Sequence, residues 1–229
     1  MSANIMEIVN NIDSHTEEAF SALRANIQFN CNKLKIQTLT VTSPSPNIGK
    51  TTIALNLAIA FAKTNIKVVL VDSDMRKPTI FKNLSQTIKY GLAVYFQHKT
   101  PLDDILTQTN IPNLSYISCG PVPSRPAEII ASKEFTEFVD MLKDQFDMII
   151  FDTPFLGNIV DSAIIASQTD ATLLVVQIGL TSKKSFRQAK EQIEKANGNI
   201  IGVVANKVSK GILKERFEYI DYFENMMKN

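Results

Sequence analysis

The residues most able to do chemistry form the run Thr-Ser-Pro-Ser-Pro-Asn-Ile-Gly-Lys-Thr-Thr at positions 42–52. An apolar run at 36–41 precedes it, and a helical pattern at 52–63 follows it. A strand, a tight loop with Gly-Lys-Thr and then a helix form the context of a phosphate-binding loop, in which N–H groups at the helix N-terminus hold a polyphosphate. In such a loop Lys50 reaches the outer phosphate oxygens, and the Thr51 hydroxyl holds Mg²⁺.

This loop is irregular, because Pro44 stands where the pattern G-x-x-x-x-G-K-[ST] has its leading glycine. The short motif is therefore only moderately specific, and its interpretation depends on what the rest of the chain brings to it. We expect the phosphate contacts to come from one continuous segment, consisting of Pro46, Asn47, Ile48, Gly49, Lys50, Thr51 and Thr52.

Carboxylates follow two further apolar runs, at the point where each run ends. Asp72 and Asp74 come after 67–71, and Asp152 comes after 148–151. Mg²⁺ on a nucleotide takes carboxylate, hydroxyl and water oxygens, so Thr51, Asp72 and Asp152 are the predicted metal-binding residues. Asp72 and Asp74 are two residues apart and point the same way on an extended chain; one can bind metal while the other accepts a proton or orients a nucleophile. We therefore assign Lys50, Asp72 and Asp74 to catalysis; the alternative is that each Asp only caps a turn.

Two other polar positions near strand ends have open alternatives. Arg76 is either part of a solvated basic turn or a positive group near a transferred phosphoryl group or a facing protomer. Asn206 ends the last apolar run, where it is either a turn residue or a side chain that hydrogen-bonds an adenine edge. Its position favours the contact with the base.

The elements that position these residues alternate between short apolar runs and helical patterns. Runs such as Lys-Val-Val-Leu-Val lack polar alternation, which indicates strands buried on both faces of a parallel sheet. Helices between them predict βαβ units, and hence a single α/β domain over 1–229 with a doubly wound, mostly parallel sheet and helices on both faces. Ligands bind at the carboxyl ends of the strands in such sheets. We predict strands at 36–41, 67–71, 114–118, 148–151, 171–177 and 200–205, and helices at 17–30, 52–63, 91–96, 101–107, 126–145, 159–167 and 181–197, with 78–89 irregular or partly helical.

The composition is that of an ordinary globular domain. Of the 229 residues, 45% are hydrophobic and 21% are charged, and the net charge of +1 gives no basic field that would argue for nucleic acid. Cys31 and Cys119 form no disulfide or metal pattern, and the N-terminus does not resemble a secretory signal, so we expect a cytoplasmic protein. The sequence contains no run of about 18 apolar residues, so it predicts no transmembrane helix.

Four motifs in order give the chain a resemblance to a known family. They are Gly-Lys-Thr-Thr at 49–52, Val-Asp-Ser-Asp-Met-Arg-Lys-Pro-Thr at 71–79, Gly-Pro-Val-Pro-Ser-Arg-Pro-Ala-Glu-Ile-Ile at 120–130 and Ile-Ile-Phe-Asp-Thr-Pro at 149–154. From about residue 17 to 207 the chain resembles the bacterial tyrosine kinases of capsule and exopolysaccharide synthesis. The resemblance implies ATP and Mg²⁺ as cofactors, autophosphorylation on tyrosine, and a role for Asp72 in activating the tyrosine hydroxyl. In the family's terms Lys50 and Thr51 belong to Walker A, Asp72 and Asp74 to Walker A′, and Asp152 to Walker B.

The resemblance also implies a phosphate-loop NTPase fold shared with the partition and cell-division ATPases that have deviant Walker motifs. Those ATPases carry a signature lysine five residues before the loop lysine, where this chain has Ser45. We therefore favour a kinase. The alternatives are an ATPase switch without kinase activity and a degenerate nucleotide-binding regulator.

Partners are implied by the resemblance at both ends of the chain. The N-terminal helical segment 1–33 corresponds to one that contacts a neighbouring subunit in a ring, through Glu18 and Arg24 here; Ser21 replaces an arginine, and a serine cannot form a bidentate ion pair. The tail 209–229 offers Tyr219 and Tyr222 as phosphate acceptors, although their spacing also fits a docked amphipathic helix. The family further implies a transmembrane adaptor of the polysaccharide chain-length type, which would recruit the kinase to the inner face of the membrane, and protein substrates with tyrosine.

Two departures from the family pattern lie in the site loops. Asn47 stands where the family usually has glycine, at a position that often needs a positive φ; asparagine tolerates such a φ better than most residues. Phe155 replaces the second proline of Asp-Thr-Pro-Pro, which predicts a less rigid and more apolar loop.

Overall fold

One sheet organises the computed structural model, which describes residues 5–77, 90–157, 159–208, 222–223 and 225–226 without the side chains of 30–34. Within these ranges it has seven strands: β1 (Thr38–Thr42), β2 (Val68–Asp72), β3 (Leu106–Gln108), β4 (Leu114–Ile117), β5 (Met148–Asp152), β6 (Ala171–Gln177) and β7 (Ile200–Asn206). Their order is β3-β4-β2-β5-β1-β6-β7. The pair β3–β4 is antiparallel, and the other pairs are parallel.

Helices connect the parallel strands and cover the sheet. In chain order they are α1 (Ser14–Leu34), α2 (Lys50–Ala62), α3 (Leu92–His98), α4 (Leu102–Ile105), α5 (Pro126–Ile130), α6 (Lys133–Lys143), α7 (Asp161–Ser167) and α8 (Lys183–Lys195). No helix within the described ranges combines the length and the hydropathy that a bilayer-spanning segment requires.

The central strands are buried on both faces, as their uninterrupted apolar sequences predict. In β2, Val68 and Leu70 belong to the core formed with α1 and α2. Val69 and Val71, which point to the other face, belong to a second core that includes Phe135 and other residues of α6. This alternation confirms the doubly wound α/β fold with helices on both faces.

The predicted elements differ from the structure in two places. The prediction of a helix at 101–107 is wrong beyond Ile105, because the chain there becomes the edge strand β3 and pairs with β4. The long helix predicted at 126–145 is two helices, α5 and α6, because Ser132 accepts a hydrogen bond from Phe135 N and caps a new helix start. The irregular or helical segment expected at 78–89 lies outside the described residues.

Candidate functional site

The candidate site lies at the carboxyl ends of the three strands β2, β5 and β1, which are neighbours in the sheet. Asp72 and Asp152 end β2 and β5 and are direct register partners, and Val41 of β1 is paired with Asp152 on its other side. The phosphate loop follows β1. The sheet therefore places the loop beside the strand-end carboxylates, as predicted.

The backbone of the loop is left-handed at two positions. Asn47 has φ 61°, which confirms the expectation that this position needs a positive φ, and Gly49 has φ 96°. Gly49 is the N-cap of α2 and supplies no capping side chain, and the first turn of α2 carries no acidic residue. Nothing on the helix itself thus competes with an anion for the N–H groups of this first turn.

Lys50 and Thr51 turn towards the acids. The Thr51 hydroxyl donates to Asp152 Oδ2 over 2.6 Å. Lys50 Nζ lies 3.8 Å from Asp74 Oδ2 and 3.9 Å from Asp152 Oδ1. The structure therefore brings together the lysine, the threonine and the carboxylates that the sequence singles out.

Burial strongly perturbs two of these carboxyl groups. Burial raises the pKa of Asp72 from its ordinary value of 3.8 to about 8, with a further increase from the charge of Asp152, although the Asp74 N–H opposes the shift. Burial also raises the pKa of Asp152 to about 6, against the lowering effects of Lys50 and of the Thr51 hydrogen bond. Within the site, an added cation would favour the ionised form of both groups.

The donor set fits a nucleotide-bound Mg²⁺. Asp152 Oδ1 is fully buried and has no hydrogen-bond partner. Within the described ranges, no group of three or more His, Cys, Asp or Glu side chains is arranged to hold a metal by itself. Mg²⁺ needs no such cage, since it is bound through one or two carboxylates together with phosphate oxygens and water. Thr51, Asp152 and Asp72 offer the hydroxyl and carboxylate oxygens that this mode uses.

The loop after β2 is held in place by hydrogen bonds that the sequence did not predict. Asp74 Oδ1 accepts from Lys77 N over 2.9 Å. Arg76 forms a two-point ion pair with Asp161 at the start of α7, with Nε to Oδ2 at 2.7 Å and an Nη to Oδ1 at 3.0 Å. Arg76 is thus neither a purely solvated residue nor free to face a phosphoryl group in this conformation. Asp161, which is fully buried, was missed; its signal was only a carboxylate at the start of a predicted helix.

Tyr116 on β4 is a second residue that sequence reasoning missed. Its hydroxyl lies 3.4 Å from Asp72 Oδ2, and its ring is 1% exposed. Burial and the charge of Asp72 raise the pKa of this phenol well above its ordinary value, so it stays a neutral donor to Asp72. It gave no sequence signal, because it lies inside a predicted strand and no chemical motif surrounds it.

The remaining predicted nucleotide contacts differ in exposure. Pro46, Asn47 and Thr52 are exposed, whereas the Ile48 side chain is buried in the core and leaves only its backbone for a ligand. Asn206 lies against the loop: its Nδ2 donates to the Ile48 carbonyl over 2.8 Å, and its Oδ1 accepts from Lys207 N. The adenine contact assigned to Asn206 stays a prediction.

The residues assigned to partners have clear local environments. Glu18 is exposed on α1, and Arg24 on the same helix donates to Gln28. The Tyr222 hydroxyl lies 3.4 Å from the Lys183 carbonyl, and Lys183 Nζ is 4.6 Å from the centre of its ring. Tyr222 is therefore docked on the start of α8, the arrangement expected of a packed helix. Tyr219 lies outside the described residues.

Comparison with known proteins agrees with this geometry. Residues 37–205 match the family model described as an AAA domain. The chain is 38% identical over 200 residues to the tyrosine-protein kinase CpsD of Streptococcus agalactiae, a match that covers 86% of this chain and 84% of the relative.

Solved structures give the same result. The kinase domain of the Escherichia coli tyrosine kinase ETK has a TM-score of 0.81 at 26% identity, covering 89% of this chain and 83% of that one. The chimerical protein CapA2B2 has a TM-score of 0.79 at 33% identity, covering 84% and 85%. The cell division ATPase MinD of Pyrococcus furiosus, at 21% identity and a TM-score of 0.66 over 84% of this chain and 79% of that one, shares the fold. The chain belongs to the bacterial tyrosine-protein kinases, a family built on the phosphate-loop NTPase fold.

Proposed function

We propose that this chain transfers the γ-phosphoryl group of ATP, bound with Mg²⁺, to tyrosine hydroxyls of proteins, including other copies of itself. One observation carries the proposal: Lys50, Thr51 and the three strand-end aspartates converge beside an uncapped helix N-terminus. Phosphoryl transfer depends on positioning and on neutralising charge more than on covalent chemistry, and these groups can supply both.

The phosphates would lie on the loop 46–52 and on the N–H groups that begin α2. Lys50, which bridges Asp74 and Asp152 in this structure, would move its ammonium group to the outer phosphate oxygens. Thr51, Asp152 and Asp72 would hold Mg²⁺, which when bound neutralises charge on the β- and γ-phosphates. Asn206 would contact the adenine edge.

Asp72 would accept the proton of the attacking tyrosine hydroxyl. A carboxyl group with a pKa near 8 holds its proton too firmly to act as a base at pH 7, so the group must be ionised by a neighbouring cation before it can accept a proton. Asp74 would keep Lys50 oriented beside the reacting phosphate. The neutral Tyr116 hydroxyl would remain a fixed donor to Asp72.

We further propose that the kinase acts in capsule or exopolysaccharide synthesis together with a transmembrane adaptor. The family of the relatives supports this role. Self-association through Glu18 and Arg24 would be weaker than a full arginine motif allows, since Ser21 cannot form an ion pair. Tyr219 and Tyr222 would be the acceptors in the tail.

The direct test is incubation of the purified chain with Mg²⁺ and ATP labelled in the γ-phosphate, alone and with a cytoplasmic peptide of a candidate adaptor. Phosphotyrosine should form and should be lost in Lys50→Met. Lys99→Met is the matched control, because Lys99 is an exposed lysine outside the site, and it should retain the signal. Phosphate release without phosphotyrosine would identify an ATPase switch, and nucleotide binding with neither product would identify a regulator; either result contradicts the proposal.

A further inference from the structure

The end of β7 lies directly on the phosphate loop. Asn206 Nδ2 donates to the carbonyl of Ile48 over 2.8 Å, and Lys207 Nζ donates to the carbonyl of Asn47 over 2.7 Å. The paired residues are 158 and 160 positions apart in the sequence. Two consecutive side chains on one strand end thus hold two consecutive carbonyls of the loop.

The backbone on both sides of this contact has an uncommon conformation. Asn47 has φ 61° and Lys207 has φ 55°, both in the left-handed region. Residues other than glycine enter this region at a cost, and they remain there when surrounding contacts enforce it. The Asn206 Oδ1 acceptor for Lys207 N, at 2.8 Å, is one such contact, and the Lys207 bond to Asn47 is another.

Gly49 shows how closely the two parts approach. A Cβ atom on Gly49 would lie 2.3 Å from Asn206 Nδ2 and 3.9 Å from Lys207 Cε. A side chain at position 49 would therefore displace the Asn206 amide from the loop, and the φ of 96° would strain it as well.

We propose that Asn206 and Lys207 are positioning residues that hold the phosphate loop in its phosphate-binding shape. A trans peptide points its carbonyl and its N–H in opposite directions. The bonds from β7 therefore turn the carbonyls of Asn47 and Ile48 towards the strand, and they turn the N–H groups of Ile48 and Gly49 away from it. Those N–H groups become available to an anion on the opposite side of the loop.

This inference rests on the proposed nucleotide site and adds to it a source of loop order. It does not exclude a contact between Asn206 and adenine, because the amide keeps one Nδ2 hydrogen and one Oδ1 lone pair. The two roles make different predictions for a ligand that has phosphates and no base.

The test compares magnesium tripolyphosphate with magnesium ATP as ligands of the intact chain, by isothermal titration calorimetry. We expect Asn206→Ala and Lys207→Met each to weaken tripolyphosphate binding by roughly three- to tenfold, the effect of losing one hydrogen bond that organises the loop. The same substitutions should weaken the binding of magnesium ATP at least as much. Lys207→Arg keeps a donor and should restore most of the affinity.

Lys99→Met is the matched control for Lys207→Met. Lys99 is also an exposed lysine with left-handed backbone, at φ 52°, and its replacement should leave both affinities unchanged. The Tm of each variant shows whether it folds. Lys207 is exposed, so Lys207→Met is expected to fold and can test the proposal even if Asn206→Ala does not fold. Unchanged tripolyphosphate affinity in both variants would overturn the positioning role. This holds also if the variants bind ATP more weakly, because a loss confined to ATP points to a contact with the base. Failure of the wild-type chain to bind either ligand would instead overturn the nucleotide site, and with it the positioning role of Asn206 and Lys207.

Discussion

Replacing Arg76 with methionine removes the partner of a buried carboxylate, and we expect this change to destabilise the fold. The Asp161 side chain is 1% exposed and accepts two charge-assisted hydrogen bonds from Arg76, at 2.7 and 3.0 Å. Methionine retains much of the apolar stem of the arginine and supplies no donor. Asp161 would remain buried at the start of α7 with its charge uncompensated.

The magnitude follows from the burial of the two partners. Removing one member of a fully buried ion pair costs roughly 3–5 kcal/mol. The Arg76 side chain is 40% exposed, so solvent screens part of the interaction, and we expect about 2–3 kcal/mol. For a domain of this size such a loss lowers Tm by about 4–12 °C.

A double-mutant cycle isolates the pair. Asp161→Asn removes the charge and keeps a similar shape, so Arg76→Met should cost less than about 1 kcal/mol in that background. Urea denaturation of the wild type, the two single variants and the double variant gives the coupling energy, which we expect to be at least about 1 kcal/mol.

Arg125 provides the matched control in the same fold. Its ion pair with Glu128 is exposed, with side chains 73% and 68% accessible, so Arg125→Met should change the free energy of unfolding by less than about 0.5 kcal/mol. A coupling energy between Arg76 and Asp161 no larger than this control would refute the reasoning, because the pair would then behave as a surface contact.

Three further changes test other parts of the structure. Asp72→Asn should stabilise the metal-free protein by about 1–3 kcal/mol at pH 8. The pKa of Asp72 is about 8 in the folded state and 3.8 ordinarily, so the stability of the wild type falls as the pH rises between these values. Urea denaturation in EDTA from pH 5 to 8.5 should therefore show a stability gain in the variant that grows with pH. A gain that shrinks with rising pH would contradict the burial of Asp72. Gly91→Ala should lower Tm in a thermal scan by several degrees, since its Cβ would lie 2.4 Å from the backbone nitrogen of Gly120. An unchanged Tm would show that the backbone segments at Gly91 and Gly120 can move apart without cost. Phe223→Ala should cost about 2–4 kcal/mol in urea denaturation, because this ring is 4% exposed and its centre lies 4.6 Å from the centre of the Phe186 ring. A loss below about 0.5 kcal/mol would show that Phe223 is not packed on Phe186.

The central sheet could be predicted because its strands carry a strong signal. Runs such as Met148–Asp152 are apolar at nearly every position, which indicates burial on both faces. The edge strand Leu106–Gln108 has only three residues, none of them fully buried, so neither periodicity nor hydrophobicity marks it. Its identity depends on antiparallel pairing with β4, a contact that local sequence does not encode.

The site was predictable to the extent that chemistry and topology coincide. Parallel strands bring their carboxyl ends to one edge, so an Asp after each of two strands and a Gly-Lys-Thr after a third have to meet there. Asp161 and Tyr116 escaped prediction for a different reason: each becomes significant only through a partner that tertiary packing selects. The Arg76–Asp161 pair joins residues 85 positions apart, and nothing near either residue marks the other.

The geometry around Thr51 bears on how the Walker B acid acts. A hydroxyl has one hydrogen and two lone pairs, and Thr51 gives its hydrogen to Asp152 Oδ2. The Thr51 oxygen faces the ammonium group of Lys50, whose Nζ lies 3.5 Å away, so Asp152 can orient the threonine towards a cation without itself contacting that cation. The other oxygen of Asp152 is buried, lacks a hydrogen-bond partner and lies 3.9 Å from Lys50 Nζ. Movement of Lys50 to a phosphate would deprive that oxygen of its nearest positive charge. A cation, or a water bound to one, would then have to take the place that the ammonium group leaves, and the two positive groups of the proposed reaction would both depend on this one carboxylate.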